Sequence, residues 1–369
     1  MRIGIDARFY GSVGKGLGRY TEKLIEHLET IAPPGDEFFI FLRKENFDEY
    51  VPKSESFRKV LADHPWYGWG EQILFPFLLR RYRLDLVHFP HFNVPLLYRR
   101  PFVVTIHDLI LLRYPTVRNT TRTPLLYRLK FLAYRLTIAS AVRRARAIIT
   151  VSHFTEKDIV REYPSAEGKV LVAYEGCEIG DGSSGRQEGA AEVASRDILS
   201  PYFLYVGNAY PHKNLEIFVA LARRFPDIRF VLVGKEDFFY RRLARAVTDS
   251  GVRNIVFAGY RTDPELASLY RGAVGYVFPS LYEGFGLPPL EAMRFGTPVI
   301  ASSRGSLPEV LDDAALYADP ENPDEFADRI EAVLSDSELR ETLSRKGRLQ
   351  AAKFRWEDMA KASLAAYHH

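Results

Sequence analysis

Two glutamates separated by seven residues, Glu283 and Glu291, stand in the segment Pro279 to Pro308, PSLYEGFGLPPLEAMRFGTPVIASSRGSLP. Carboxylates accept hydrogen bonds from hydroxyls, so the pair suits a sugar or a ribose diol. Gly284 and Gly286 lie between them and carry no Cβ. The backbone of Gly284, Phe285, Gly286 and Leu287 can therefore come close to a ligand and aim N–H groups at it. A helical pattern from about Pro288 puts a helix N-terminus behind the loop, where unpaired N–H groups and the macrodipole favour phosphate. The expected position of Glu291 in the first turn leaves a second reading open. The dipole alone would then place it, and Glu283 would be only a loop charge.

Three other clusters could do chemistry. PYFLYVGNAYPHKNLE (201–216) reads as a strand ending at Gly207, then a loop presenting His212, Lys213 and Asn214 at a helix start. A lysine there opposes the dipole unless an anion such as phosphate offsets it; a solvated lysine would cost only roughly a few tenths of a kcal/mol. His107 and Asp108 close the apolar run PFVVTIHD (101–108). By themselves they read as an edge histidine with a helix-capping aspartate. GSVGKGLG (11–18) joins the strand RIGID to a helix expected from Arg19, as a phosphate cradle or as a surface loop. It is not G-x-G-x-x-G, and no acidic residue follows at the strand end expected for a nicotinamide dinucleotide.

These loops need strands behind them. Short apolar runs at 2–6, 38–42, 84–89 and 101–108, then 201–207, 228–234, 254–259, 275–278 and 298–301, alternate with helical patterns. Two such series make an α/β fold with buried parallel sheets. The Gly- and Ser-rich stretch between them divides the chain into a domain at 1–178, a linker at 179–199, a second domain at 200–350 and a closing segment at 351–369.

Composition excludes several classes. With 369 residues and a formal net charge of +3, bulk charge makes no case for nucleic acid. Cys177 is the only cysteine, so there is no disulfide framework or cysteine metal cluster. Met1 leads straight into a strand and no apolar run approaches a spanning helix, which points to the cytoplasm. The stretch 122–146 interleaves basic and apolar residues without one acid. It is either a contact with the inner face of an anionic membrane or an internal helix with solvated arginines. Trp66, Tyr67 and Trp69 add interfacial aromatics or a core-edge cluster.

EGFGLPPLE, with the following A-x-x-x-G-T-P-V-I and G-x-x-P-E-V segments, resembles the E-x7-E region of retaining glycosyltransferases of family 4. The resemblance runs through nearly the whole chain and implies the GT-B architecture, two Rossmann-like domains facing an interdomain cleft, with the closing helix at 351–369 crossing back to the N-terminal domain. It implies that Glu283 holds donor-sugar hydroxyls, that the Gly284 to Leu287 backbone binds sugar and phosphate, and that Glu291 takes the ribose diol. Lys213 would neutralise the donor diphosphate, which Gly16, Leu17 and Gly18 would approach from the other domain. Gly259 and Tyr260, with Arg261, match the loop beside the nucleobase. His107 matches a histidine near the transferred sugar and the acceptor, and Asp108 would orient its ring or face the acceptor. Asn208 stands where some members carry an arginine, and His212 where another is usual, so part of the positive clamp is altered. No Asp-x-Asp pair occurs, so no metal or other cofactor is expected. IGIDAR, HFPHFNVPL and TIHDL resemble bacterial mannosyl- or rhamnosyl-type transferases. That implies GDP-mannose as preferred donor, UDP-sugars next, and a glycan or polyprenyl-linked acceptor. A nucleotide-sugar epimerase, a dehydrogenase and a non-catalytic glycan-binding adaptor are the competing readings.

Overall fold

The computed structural model describes residues 1–115, 124–177 and 201–368, so the stretch read as a linker lies outside the described residues. The chain forms two compact units, Met1–Gly176 with Arg355–His369, and Cys177–Phe354.

The first unit holds seven strands: β1 (Arg2–Asp6), β2 (Glu37–Leu42), β3 (Phe57–Leu61), β4 (Leu86–Phe89), β5 (Phe102–Ile106), β6 (Ala147–Thr150) and β7 (Val170–Val172). They run in the order β3-β2-β1-β4-β5-β6-β7, and every pairing is parallel. Strands covered on both faces read as unbroken apolar runs, and β4 and β5 are buried throughout. Side chains alternate between the faces. On one face Phe39, Val87 and Val104 meet Phe75 and Leu79 of helix Trp69–Arg81, Ile138 and Val142 of helix Pro124–Arg144, and Ile159 of helix His153–Glu162. The helices Lys15–Ile31 and Trp356–His368 pack on each other, and from the other face of the sheet His88 reaches the second of them through Tyr367.

The second unit has six strands: β8 (Tyr202–Val206), β9 (Arg229–Val233), β10 (Ile255–Gly259), β11 (Gly275–Phe278), β12 (Val299–Ser302) and β13 (Ala315–Ala318). Their order is β10-β9-β8-β11-β12-β13, again wholly parallel. In both sheets the order reverses beside the first strand, between β1 and β4 and between β8 and β11. Loops diverge there at the carboxyl edge and leave the crevice in which such sheets bind ligands.

The chain passes between units at Gly176 and Phe354. A Cβ on Gly176 would lie 2.3 Å from the Trp356 nitrogen, so the two passing segments run too close for any other residue. The Cys177 N–H donates to the Phe354 carbonyl at 3.2 Å.

His88 lies wholly inside the first unit, its Nδ1 2.7 Å from the Tyr367 hydroxyl and its Nε2 2.8 Å from the Thr105 hydroxyl. Burial, then the charge of His107, pushes its pKa from 6.5 down to about 3. Burial and Lys213 push His212 of the second unit to about 3 as well. The unfolded chain takes up protons near pH 6.5 that the folded state refuses. Stability is then intact above the unfolded value and falls as pH drops toward 3, by ~1.4 kcal/mol per pH unit for each imidazole. Thermal unfolding followed from about pH 7 to about pH 5 should show a falling Tm. A flat profile would mean that these rings are charged in the folded protein.

Candidate active site

At the switch point of the second sheet, the loop after β8 makes a single 3-10 turn, Pro211–Lys213, which ends at Asn214 with φ of +58°. Asn214 tolerates this left-handed backbone because its short side chain bonds locally. Its Nδ2 donates to the Pro279 carbonyl at 3.3 Å and the Pro320 carbonyl at 2.6 Å. The Leu281 N–H donates to the His212 carbonyl at 2.7 Å. These bonds stitch together the loops that follow β8, β11 and β13.

The stitching brings Lys213 to Glu283. Their Nζ and Oε1 atoms are 2.6 Å apart, both side chains are largely buried, and the ammonium also lies 5.3 Å over the Phe278 ring. His212 is buried and, with its lowered pKa, neutral at pH 7, so it brings no positive charge in place of an arginine. Asn208 turns back on its own loop: its carbonyl accepts from the Tyr205 hydroxyl at 2.8 Å and its Oδ1 from the Tyr210 N–H at 3.3 Å.

The glycine loop is held from behind. Ser306 Oγ donates to the Glu283 carbonyl at 3.1 Å and is 2.9 Å from the Phe285 carbonyl. Gly286, at φ of +101°, starts helix Leu287–Arg294 in a conformation that a side chain would strain. The helix begins at Leu287, not Pro288, because its two prolines occupy early positions that need no N–H donor. Glu291 is therefore the fifth helical residue, past the first turn, and the dipole does not place it there. Its carboxylate is buried and accepts from the Tyr270 hydroxyl at 3.1 Å.

Gly259, at φ of +70°, Gly234 and Gly207 bring the ends of β10, β9 and β8 together, with the Gly234 N–H donating to the Gly259 carbonyl at 3.0 Å. Tyr260 next to them is exposed. Arg261 Nε and Ser280 Oγ are buried without a hydrogen-bond partner among the described residues. Buried polar atoms of this kind are normally met by water, an ion or a ligand.

In the first unit, helix Lys15–Ile31 begins four residues before the expected Arg19. Gly16 and Leu17 are thus first-turn helical residues whose N–H groups lack intrahelical partners, while Gly18 is the first to bond within the helix, to the carbonyl of the N-cap Gly14. A Cβ on Gly18 would lie 2.0 Å from the Gly11 carbonyl oxygen, so this turn packs as tightly as a helix can only with glycine there.

His107 follows β5, with Nδ1 3.2 Å from Glu175 Oε1 and Nε2 3.0 Å from the Pro90 carbonyl. Both ring nitrogens face acceptors, which only the doubly protonated ring satisfies at both ends. Burial by itself would lower the pKa, but the Glu175 hydrogen bond and charge, the Pro90 carbonyl and Asp108 together raise it. Asp108 Oδ1 accepts the Ile110 N–H at 2.9 Å at the start of the short helix that follows.

One group at this edge escaped the sequence reading. Arg8, fully buried, holds Asp6 Oδ1 through Nε and Asp6 Oδ2 through Nη2, both at 2.7 Å, and Glu71 Oε1 through Nη2 at 2.7 Å. Glu71 Oε2 also accepts from Asn93 Nδ2 and the Tyr67 N–H, each at 2.7 Å. The network ties the loops after β1, β3 and β4 together at the first switch point. Asp6 and Arg8, two residues apart at a strand end, were the available signal.

Two parallel doubly wound sheets, each with polar groups gathered at its switch point, define a GT-B type of α/β protein. A sucrose-phosphate synthase from Thermosynechococcus elongatus has the same fold, with a TM-score of 0.78 at 21% identity over 100% of this chain and 98% of its own. The model for Glycosyltransferase Family 4 matches residues 14–180, and that for Glycosyl transferases group 1 matches residues 195–350. The O-antigen chain mannosyltransferase B of Escherichia coli is 28% identical over 95% of both chains. The O-antigen chain mannosyltransferase RfbU of Salmonella typhimurium is 27% identical over 91% of both. The chain belongs to glycosyltransferase family 4.

Proposed function

We propose that this glycosyltransferase moves mannose from GDP-mannose to a hydroxyl of a glycan or lipid-linked glycan, with retention at the anomeric carbon and without a metal ion. The observation that carries this reading is the buried Lys213–Glu283 pair at the second switch point, beside a helix N-terminus begun by Gly286. The mannosyltransferase names of the two relatives favour the sugar.

Glu283 takes hydroxyls of the donor sugar, and the backbone of Gly284 to Leu287 takes sugar and phosphate. Lys213, with helix N–H groups, offsets the charge that develops on the departing nucleoside diphosphate. Glu291 serves the ribose, and Gly259 and Tyr260 the base, near the orphaned Arg261 Nε. Asn208 lines the loop through its backbone. Gly16 and Leu17 offer N–H groups to the diphosphate, with the Gly18 backbone close beside them, and His107 and Asp108 belong to the acceptor side. No carboxylate is assigned as a nucleophile; the departing phosphate oxygen takes the acceptor proton on the same face of the sugar. The work is done in the cytoplasm.

Thermal shift and nucleoside diphosphate release with GDP-mannose, GDP-fucose, UDP-glucose and NADH, no metal added, test this. GDP-mannose alone should stabilise the protein and be turned over, and product NMR should show an α linkage. Response to a UDP-sugar instead would overturn the donor, a β product the stereochemistry, and glycan binding without turnover of any donor the catalytic role.

A further inference from the structure

Helix Trp69–Arg81 buries Phe75 and Leu79 against the first sheet and turns a second apolar face outward. Trp69 is 84% exposed and Phe77 57%, with Ile73 and Leu74 beside them. Helix Pro124–Arg144 does the same: Ile138 and Val142 face the sheet, while Leu129, Leu132 and Leu136 are exposed. The leucine face that sequence spacing picks out in this helix is therefore not the one packed on the sheet.

The two helices share one layer, since both contribute to the same core cluster on one side of the sheet. The loop after β4 lies between them. Leu96 N–H donates to Gln72 Oε1 of the first helix at 2.9 Å, and Phe92 meets Tyr134 of the second at 4.8 Å between ring centroids. Arg144 reaches back to the Pro95 carbonyl. Leu96 and Leu97 in this loop are exposed too, so the apolar surface runs from one helix to the other. Soluble proteins rarely leave so large an apolar surface unpartnered.

Charge says what covers it. Arg80 and Arg81 end the first helix, Arg99 and Arg100 follow the loop leucines, and Arg128, Lys130 and Arg135 interleave with the second leucine stripe. Across 69–81, 90–101 and 124–144 the single acid is Glu71, which is buried under Arg8. The whole chain nearly balances 50 basic residues with 47 acidic ones, so the bias is local. A second copy docked on this face by two-fold symmetry would set arginines against arginines. A nucleic acid would use the cations and leave the leucines wet. An anionic bilayer satisfies both, with apolar side chains at the acyl boundary and arginines on the headgroups. No helix among the described residues is long and apolar enough to cross a membrane.

We propose that this face, formed by helix 69–81, the loop at 96–100 and helix 124–144, is a docking surface for an anionic lipid bilayer. It would bring the first unit to a lipid-linked acceptor, yet it stands or falls apart from the donor and the reaction.

Co-sedimentation with vesicles of phosphatidylcholine alone, and with about one-third phosphatidylglycerol, tests it without any substrate. The protein should bind the anionic vesicles at least ~10-fold more tightly than the neutral ones, and less at raised salt. Ile73→Glu with Phe77→Glu, and separately Leu132→Glu with Leu136→Glu, should each weaken binding at least ~10-fold while Tm and nucleotide binding stay as in the parent. No binding by the parent protein overturns the proposal, as do variants that bind like the parent. So does a parent dimer that either pair converts to monomer without any vesicle binding.

Discussion

Lys213→Ala is expected to lower turnover by ~10²–10³-fold and to destabilise the second unit by ~3–5 kcal/mol, through two separable causes. Glu283 is 7% exposed and its Oε1 lies 2.6 Å from the lysine nitrogen. Removing the cation leaves that carboxylate buried without its charge partner, which accounts for the stability loss. Adding Glu283→Gln removes the charge, so the double variant should regain most of the stability and none of the turnover. Glu283→Gln alone keeps an oxygen that can accept from Lys213, so it should fold well and still lose activity. Urea unfolding and nucleoside diphosphate release measure the two sides. Recovery of both in the double variant would reduce the pair to a strut with no part in phosphate chemistry.

Arg8→Ala should be the most damaging single change to the first unit. The guanidinium satisfies Asp6 and Glu71, donates to the His64 carbonyl at 3.0 Å and lies 4.1 Å over the Phe75 ring. Without it two carboxylates share a buried site, at a cost of ~3–5 kcal/mol and a Tm lowered by about 10 °C. Arg8→Lys should recover only part, because a point charge cannot replace the planar fork. Burial already raises the Glu71 pKa, against the pull of Arg8. An unchanged Tm in Arg8→Ala would therefore mean that a proton on Glu71 carries the balance instead.

The parallel α/β fold was open to sequence reasoning because strands buried on both faces are unbroken apolar runs, and glycines mark where they end. The loops carrying Lys213 and Glu283 could be placed at a ligand edge for the same reason. Their contact could not, since it joins residues 70 positions apart through bonds made by Asn214 and Leu281. The onset of helix Lys15–Ile31 was hidden by its own glycines. Propensity argues against helix at Gly16 and Gly18, but at Gly18 close approach to the Gly11 and Phe9 carbonyls decides the matter. Arg8 and Glu71 are 63 residues apart, and a buried charge shows itself only when its partner is in place. Spacing found the leucine stripe at 129–136, but a period has no direction, and only the packed helix shows that it points outward.

Helix Trp356–His368 comes after the whole second unit in the chain, yet its Tyr367 bonds to His88, 279 residues earlier. During synthesis the first unit must wait for it while the second, contiguous from Cys177 to Phe354, emerges complete. At the usual pace of translation that wait lasts roughly ten to forty seconds. Throughout it, one face of the first sheet has helix Lys15–Ile31 but lacks the second helix that packs beside it, and the nascent chain is open to misassembly or to a chaperone. A ribosome that stalls before Trp356 would thus release a protein whose defect lies in the part that was made first.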